Sequence, residues 1–166
     1  MNPLRQLVEA KELLSAEVLA DVVRRQEIYG GTFDTVLLET NALDPAQIDA
    51  LLSEAFGLPG AAGPLIHPPR PRPTDGLPDS WTRDGDAFPL QRTDEGLQVA
   101  VGPHVTAEIL ERLRHEVPDA RAMITPECCM ALLQAEHAGT MVPQRFGTMA
   151  RGYVEAVGAA PPPVKR

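Results

Sequence analysis

The sequence predicts an α+β protein in which a bundle of short helices precedes a small three-stranded sheet covered by two helices. Apolar residues recur at helical spacing through residues 1–59, and a proline-rich stretch occupies residues 60–86. Two runs of strand-forming residues joined by a turn begin near residue 88. With 43% apolar and 23% charged residues, the 166-residue chain has the composition of a globular protein.

The segment 1–59 predicts a series of capped helices. One helix should begin at Ser15, which can cap its first turn, and end at Gly30-Gly31. A short helix is expected from about Phe33 to Thr40. Asp44-Pro45 should open a further helix, which Gly57-Leu58-Pro59 stops. Apolar residues recur at helical spacing at Leu13, Leu14, Val18, Leu19, Val22 and Val23, and the apolar face of the last helix is Ile48, Leu51, Leu52, Ala55 and Phe56.

These helices contain an internal repeat. Leu7–Lys11 matches Leu37–Asn41 at an offset of 30, and Leu14–Glu17 matches Leu43–Ala46 at an offset of 29. The two offsets predict that one residue was gained or lost between the halves. Leu19, Val23 and Gln26 match Ile48, Leu52 and Ala55. Each half should form a short helix, a turn and a longer helix, and two halves together can bury apolar faces that neither buries alone.

Residues 60–86 are predicted to be a linker, because proline breaks helices and removes strand hydrogen bonds. We expect this segment to be loosely packed, with a contact at Leu65-Ile66, and to be cut early by proteases. Its prolines are Pro64, Pro68, Pro69, Pro71, Pro73 and Pro78.

Residues 87–140 are predicted to form the sheet and its helices in the order β-β-α-β-α. The expected strands are Phe88–Arg92, Leu97–Val101 and Ala120–Ile124, with a hairpin turn at Thr93–Gly96. The expected helices are Thr106–Glu116, with Ile109, Leu110 and Leu113 inward, and one capped by Thr125 that runs to about Glu136. The tail, residues 141–166, should hold a short helix at Phe146–Val154 and a disordered end at Ala160–Arg166.

The distribution of charge along the chain limits the classes of molecule that the protein is expected to bind. The net charge is −8, and residues 1–59 carry ten acidic and four basic side chains, net −6. Such a surface repels a phosphate backbone, so nucleic-acid binding is not expected. It suits a basic protein partner, although acidic side chains also serve solubility alone. We expect a cytoplasmic protein, because no apolar run could span a bilayer and Met1–Arg5 does not begin a signal peptide.

No catalytic motif occurs in the sequence. It contains no phosphate-binding loop, zinc-protease helix or nucleophile elbow, and its four histidines have no metal-ligand spacing. We therefore predict no enzyme activity, no nucleotide hydrolysis, no metal and no cofactor. The adjacent Cys128 and Cys129 begin a predicted helix, where a thiol pKa can be lowered, although packing in the core is the commoner role.

The repeat resembles a known domain. Together with Ala55–Pro59 and the hairpin from Phe88 to Gly102, it is similar to the N-terminal domain of type II secretion and type IV pilus assembly ATPases, the MshEN-like or protein E N-terminal domain. The resemblance covers residues 4–140 without the ATPase domain, and Met1 and the basic tail favour a stand-alone relative over an ATPase fragment. It implies a non-catalytic module that docks on an inner-membrane component of a secretion or pilus-type machine through that component's cytoplasmic part.

The resemblance also implies an alternative function, the sensing of cyclic di-GMP. The binding form of the domain opens each repeat with Arg-Leu-Gly and closes it with Gln, since arginine pairs with phosphate or guanine and glycine admits a close ligand. Here Asn2-Pro3-Leu4 and Thr32-Phe33-Asp34 stand at the two openings, and Gln26 and Ala55 at the two closings.

Useful binding of cyclic di-GMP is therefore not expected. If a degenerate site persists, its candidate residues are Arg5, Arg24, Gln26, Thr32 and Phe33. Thr32, Asp34 and Ala55 are expected on an exposed rim of the helices. There the changes Thr32→Arg, Asp34→Gly and Ala55→Gln should restore a partial site without disturbing the core.

Overall fold

The structure is a computed structural model that describes residues 2–67 and 71–158. It confirms the α+β class, because short helices precede a three-stranded sheet with helices packed on it. The helices are α1 Pro3–Ala10, α2 Ala16–Tyr29, α3 Phe33–Glu39, α4 Pro45–Phe56, α5 Gly63–Ile66, α6 Asp79–Arg83, α7 Ala107–Glu116, α8 Glu127–Ala138 and α9 Gln144–Gly158. The strands are β1 Phe88–Thr93, β2 Gly96–Val101 and β3 Ala120–Ile124. Within the described ranges, no helix is long and apolar enough to cross a bilayer.

The predicted caps of the helical part are present. Ser15 Oγ accepts a hydrogen bond from Val18 N at 3.1 Å. Asp44 and Gln47 form a capping box, in which each side chain accepts from the other residue's backbone N–H. Gly57 ends α4 in the left-handed region, with φ of 65°. Because these bonds are local, the helix bounds follow closely from the sequence.

The two halves of the repeat contain equivalent turns, which the structure relates by an offset of 29 that takes Glu12 to Asn41. Both of these residues adopt the left-handed conformation, with φ of 52° and 54°. The same hydrogen bond closes both turns: Leu13 N donates to Val8 O, and Ala42 N donates to Leu37 O.

The predicted offset of 30 for Leu7–Lys11 is therefore wrong at the turn, whereas the N-caps of the two short helices, Asn2 and Thr32, are 30 residues apart. Helix α1 has eight residues and α3 has seven, so the predicted one-residue difference lies within the short helices. Leu4 and Phe33, which the offset of 29 makes equivalent, are both fully buried. At the N-caps the openings correspond as Asn2-Pro3-Leu4 and Thr32-Phe33-Asp34, as predicted, and the shift to the offset of 29 comes within the helices. Sequence matching was ambiguous there, because Leu7-Val8 and Leu37-Leu38 are paired apolar residues that fit at either offset.

The sheet follows the prediction and is joined to the helical part at one edge. β1 and β2 form an antiparallel hairpin, and β3 lies parallel to β2 after the crossover helix α7. Ile124 N donates to Pro59 O at 2.8 Å, and Ala61 N donates to Ile124 O at 3.0 Å. The exit of the helical part is therefore hydrogen-bonded to β3.

The predicted linker contains more structure than its prolines suggest. The expectation that proline excludes a helix is wrong for α5, because Pro64 lies in the first turn, where its missing N–H costs nothing. Ile66 and Trp81 are buried, and the Trp81 indole N–H donates to Glu116 Oε1 at 3.0 Å. Arg72 forms an ion pair with Glu136. The boundaries at 60 and 86 stay a prediction, and Pro68 and Pro69 lie outside the described residues.

Two predictions for the last third need correction. Thr125 does not cap α8: the cap position is Pro126, and the Thr125 hydroxyl is buried without a hydrogen-bond partner among the described residues. Helix α9 is longer than the short helix expected at Phe146–Val154, because its apolar face packs on α4, α5 and α8. The predicted disorder of Ala160–Arg166 falls outside the described residues.

The buried apolar residues form one cluster that runs through both halves of the chain. Leu4 and Ile48 contribute to it from the helical part, Val99 from the sheet, Leu133 from α8 and Tyr153 from α9. The helical repeat is thus packed on the α/β part rather than tethered to it.

Candidate functional site

The second repeat and helix α8 cap each other's first turns. Asp34 Oδ2 accepts a hydrogen bond from Glu127 N at 2.9 Å. In return, Glu127 Oε1 accepts from Thr32 N at 3.0 Å and from the Thr35 hydroxyl at 2.6 Å. Each helix N-terminus, which leaves N–H groups without partners, therefore receives a carboxylate from the other. We call Thr32, Asp34, Thr35 and Glu127 the cross-cap.

The cross-cap buries a carboxyl group. Asp34 is fully buried, and its Oδ1 has no hydrogen-bond partner among the described residues. Burial raises the pKa of Asp34 to about 6, against the opposing effects of the Thr32 side chain and of the hydrogen bond from the Glu127 N–H. The Glu127 carboxylate raises it further by like-charge repulsion. Asp34 is therefore harder to ionise than an exposed aspartate.

Arg145, from α9, completes the junction. Its guanidinium contacts both carboxylate oxygens of Glu39, at 2.7 and 2.9 Å, and this pairing raises the pKa of Arg145. It also donates to Tyr29 O at 3.0 Å and Gly30 O at 2.9 Å, and so satisfies carbonyls at the end of α2. At Gly31, with φ of 92°, a Cβ atom would lie 3.2 Å from this guanidinium. The positive φ favours glycine at that position, and a side chain there would also require the guanidinium to shift by a few tenths of an ångström.

The structure places the predicted opening of the second repeat inside the molecule. Phe33 and Asp34 are fully buried, while Thr32 and Ala55 are half-buried. The expected exposed rim is therefore wrong at Asp34, because α8, from the last third of the chain, covers this end of α3. The change Asp34→Gly would remove the cap of α8 rather than open a binding site.

The remaining candidate residues are divided between two places. Gln26 Nε2 donates to Gly31 O at 3.1 Å, so Gln26, Thr32 and Phe33 lie around the same turn. Arg5 and Arg24 are instead engaged on their own helices, by Glu9 and Asp21 respectively. In the part of the chain that the structure describes, no hydrogen bond or ion pair joins Arg5 or Arg24 to that turn.

A shallow depression of about 420 Å³ lies beside the turn. It is lined by Arg25, Tyr29, Glu39 and Arg145, and Tyr29 is 66% exposed. Arg25 is bonded to Asp21, and Arg145 to Glu39. The depression thus offers an aromatic face and two guanidinium groups, each already paired with a carboxylate.

A larger open groove of about 850 Å³ runs along α2. We call it the α2 groove; six of its lining residues are Leu13, Leu14, Val18, Val22, Asn41 and Ala42. Leu13 is 38% exposed and Val18 is 41% exposed, so apolar side chains reach the surface here. Glu17, Asp21 and Arg24 add two acidic side chains and one basic side chain to its walls. The groove combines exposed apolar surface with a slight excess of negative charge.

The cysteines behave as packing residues. Cys128 and Cys129 are both fully buried in the first turn of α8. The neighbouring Cys129 thiol, followed by burial, raises the pKa of Cys128, which disfavours a reactive thiolate. Within residues 2–67 and 71–158, no three His, Cys, Asp or Glu side chains converge to hold a metal ion.

The cross-cap residues Thr35 and Glu127, and Arg145 with them, were not predicted from the sequence. Glu127 follows a proline at the start of a helix, where an acidic residue is ordinary. Its true partners, Thr32 and Thr35, lie in the first third of the chain, so no local pattern reveals them.

Several solved structures share this fold, among them the following two. A structure of MshE with cdg, cyclic di-GMP, matches with a TM-score of 0.54 and 21% identity over 76% of this chain and 92% of that one. The N-terminal domain of XpsE matches with a TM-score of 0.50 and 14% identity over 80% and 92%. No family profile matches the sequence, and no curated protein matches it. The predicted resemblance to MshEN-like and protein E N-terminal domains is thus confirmed as a likeness of fold.

Proposed function

We propose that this chain is a non-catalytic interaction module that docks on the cytoplasmic part of an inner-membrane component of a secretion or pilus-type machine. The docking surface is the α2 groove, and its occupant is a segment that presents apolar and basic side chains. The observation that carries this proposal is the exposed apolar face of α2, on a fold shared with the N-terminal domain of XpsE.

The apolar surface of α2 supports a docking role. Of the 14 residues of α2, only Val22 is buried, and Val18 is 41% exposed. Leu13, which lines the same groove, is 38% exposed. Adjacent exposed apolar side chains are costly to keep in water and commonly mark interaction sites. The groove beside Val18 gives such a partner a concave surface to fill.

The negative charge of the helical part favours a basic partner. Residues 1–59 carry a net charge of −6, and Asp34 is the only one of their ten acidic residues that is fully buried. Arg24 and Arg25 both pair with Asp21, so part of the positive charge on α2 is neutralised locally. A basic partner would therefore be attracted, and its association should weaken as salt concentration rises.

An affinity pull-down from native cytoplasm and inner membrane, read by mass spectrometry, tests the proposal. The wild type is compared with Val18→Ser, in the groove, and with Ile28→Ser, on the same helix but not among the groove residues. A partner of the groove should be captured by the wild type and by Ile28→Ser, and lost with Val18→Ser. Equal capture by all three proteins would reject the groove as the docking surface.

Sensing of cyclic di-GMP is the second candidate, because a structure that shares the fold contains that ligand. On this chain the ligand would lie near Gln26 and Tyr29. The buried carboxyl of Asp34 occupies the glycine position of the motif, and each lost charge-assisted contact costs about 1.5–3 kcal/mol. Calorimetry should therefore show no binding at micromolar ligand. Micromolar binding that Arg25→Ala weakens would rank this function above protein docking.

A further inference from the structure

We propose that the cross-cap is a proton-responsive latch, which holds the second repeat against helix α8 and opens more readily as the pH rises from about 4.5 to 7.5. This inference concerns the junction between α3 and α8 and is independent of what the α2 groove binds.

The geometry makes this junction a single unit. Its hydrogen bonds run in both directions between the first turns of two helices, and each of them uses the carboxylate of Asp34 or of Glu127. If either carboxylate moves away, the first turn of the other helix therefore loses its cap. Opening the junction would expose Asp34 to water and free the start of α3 from α8.

The surroundings of Asp34 favour its neutral form. From α8 it faces the Glu127 carboxylate and the Cys128 thiol, and from its own segment it faces the Thr32 hydroxyl. Arg145 of α9 contacts Glu39 directly and interacts with Glu127 through charge. Among the described residues, Asp34 has no ion-pair partner that would stabilise its charge.

The direction of the pH effect follows from the thermodynamic linkage between proton binding to Asp34 and opening of the junction. In the closed junction the pKa of Asp34 is about 6, and in an open, solvated junction it returns toward 3.8. The raised value means that the proton stabilises the closed form, so this stabilisation is lost as the pH rises through about 4 to 6. The opening equilibrium should increase roughly 30-fold between pH 4.5 and 7.5.

Hydrogen exchange on the full chain measures this opening. Protection of the Glu127 and Thr32 amides, corrected for the intrinsic rate, should fall roughly 30-fold from pH 4.5 to 7.5. Asp34→Asn keeps an acceptor but cannot ionise, so its protection should not change with pH. Asp44→Asn is the matched control, since Asp44 also caps a helix but is exposed, and it should keep the wild-type profile.

Two results would overturn the proposal. One is protection in the wild type that does not change with pH; the other is an Asp34→Asn variant that keeps the wild-type pH dependence. If Asp34→Asn does not fold, carbon-13 NMR of the wild-type side chain decides instead. A carboxyl midpoint close to 6 supports the latch, and a midpoint close to 3.8 contradicts it.

Discussion

The two halves of the repeat have the same local structure but different surroundings. Both contain a short helix, a turn closed by the same hydrogen bond and a longer capped helix. In the second half, α3 buries five of its seven residues, and Asp49 of α4 accepts a hydrogen bond from the Tyr153 hydroxyl of α9. In the first half, α1, the counterpart of α3, buries two of its eight residues. Helix α2 buries only Val22, whereas its counterpart α4 buries three residues.

This difference shows how a repeat can divide two roles between its copies. The second copy is held between α8 and α9 by the cross-cap and by the Arg145–Glu39 ion pair. The first copy is joined to the core mainly through α1, which leaves the outer face of α2 in water. We interpret the second copy as the anchor of the module and the first as its partner-facing part.

The largest expected effect comes from equivalent core positions of the two copies. Ile48 in α4 is fully buried, and Leu19, its counterpart in α2, is only partly buried. Ile48→Ala should reduce the free energy of unfolding by about 2–5 kcal/mol, because it leaves a cavity in the core. Leu19→Ala should cost less than about 1.5 kcal/mol, and urea unfolding measures both. Equal losses would show that the two copies are equally anchored.

Removing the cross-cap should have an intermediate effect. Glu127→Ala leaves Thr32 N and the Thr35 hydroxyl without their partner and should cost about 1–3 kcal/mol. Glu17→Ala, in the exposed first turn of α2, is the matched control and should cost less than about 0.5 kcal/mol. Thermal unfolding of both variants provides the comparison. A loss from Glu127→Ala no larger than that from Glu17→Ala would contradict the anchoring role of α8.

The smallest effect on stability should come from the turn that occurs once in each copy of the repeat. Glu12 and Asn41 both have positive φ, which costs a glutamate more than an asparagine. Glu12→Gly should therefore stabilise the protein by about 0.5–1 kcal/mol, while Asn41→Gly should change its stability by only a few tenths. Chemical denaturation of both variants measures which substitution stabilises the protein more. A larger gain from Asn41→Gly would mean that the turns are not equivalent.

The sequence predicted those parts of the fold that depend on neighbouring residues. The caps at Ser15 and Asp44 and the three strands follow from local pattern, and the structure contains all of them. The prediction that Thr125 caps α8 is wrong because the residue that caps it, Asp34, comes from α3. The burial of Phe33 and Asp34 likewise depends on contacts with distant segments, which no local periodicity records.

The candidate site was predicted less well than the fold, for the same reason. The resemblance assigned Thr32, Phe33 and Asp34 by their position in a motif, and position alone does not show which side chains face solvent. The α2 groove exists because, among the described residues, no other segment packs over this face of α2. The spacing of apolar residues within a helix does not show whether another segment will cover it.

Site-specific photocrosslinking tests most directly whether the first copy faces the partner. A photoreactive residue is placed at Val18 in the α2 groove or at Ala50, an exposed position on α4, and each protein is irradiated with native inner membranes. We predict one discrete adduct from Val18, suppressed by excess unlabelled protein, and none from Ala50. Adducts of equal yield from both positions, or an adduct from Ala50 alone, would contradict the division between a partner-facing first copy and an anchoring second copy.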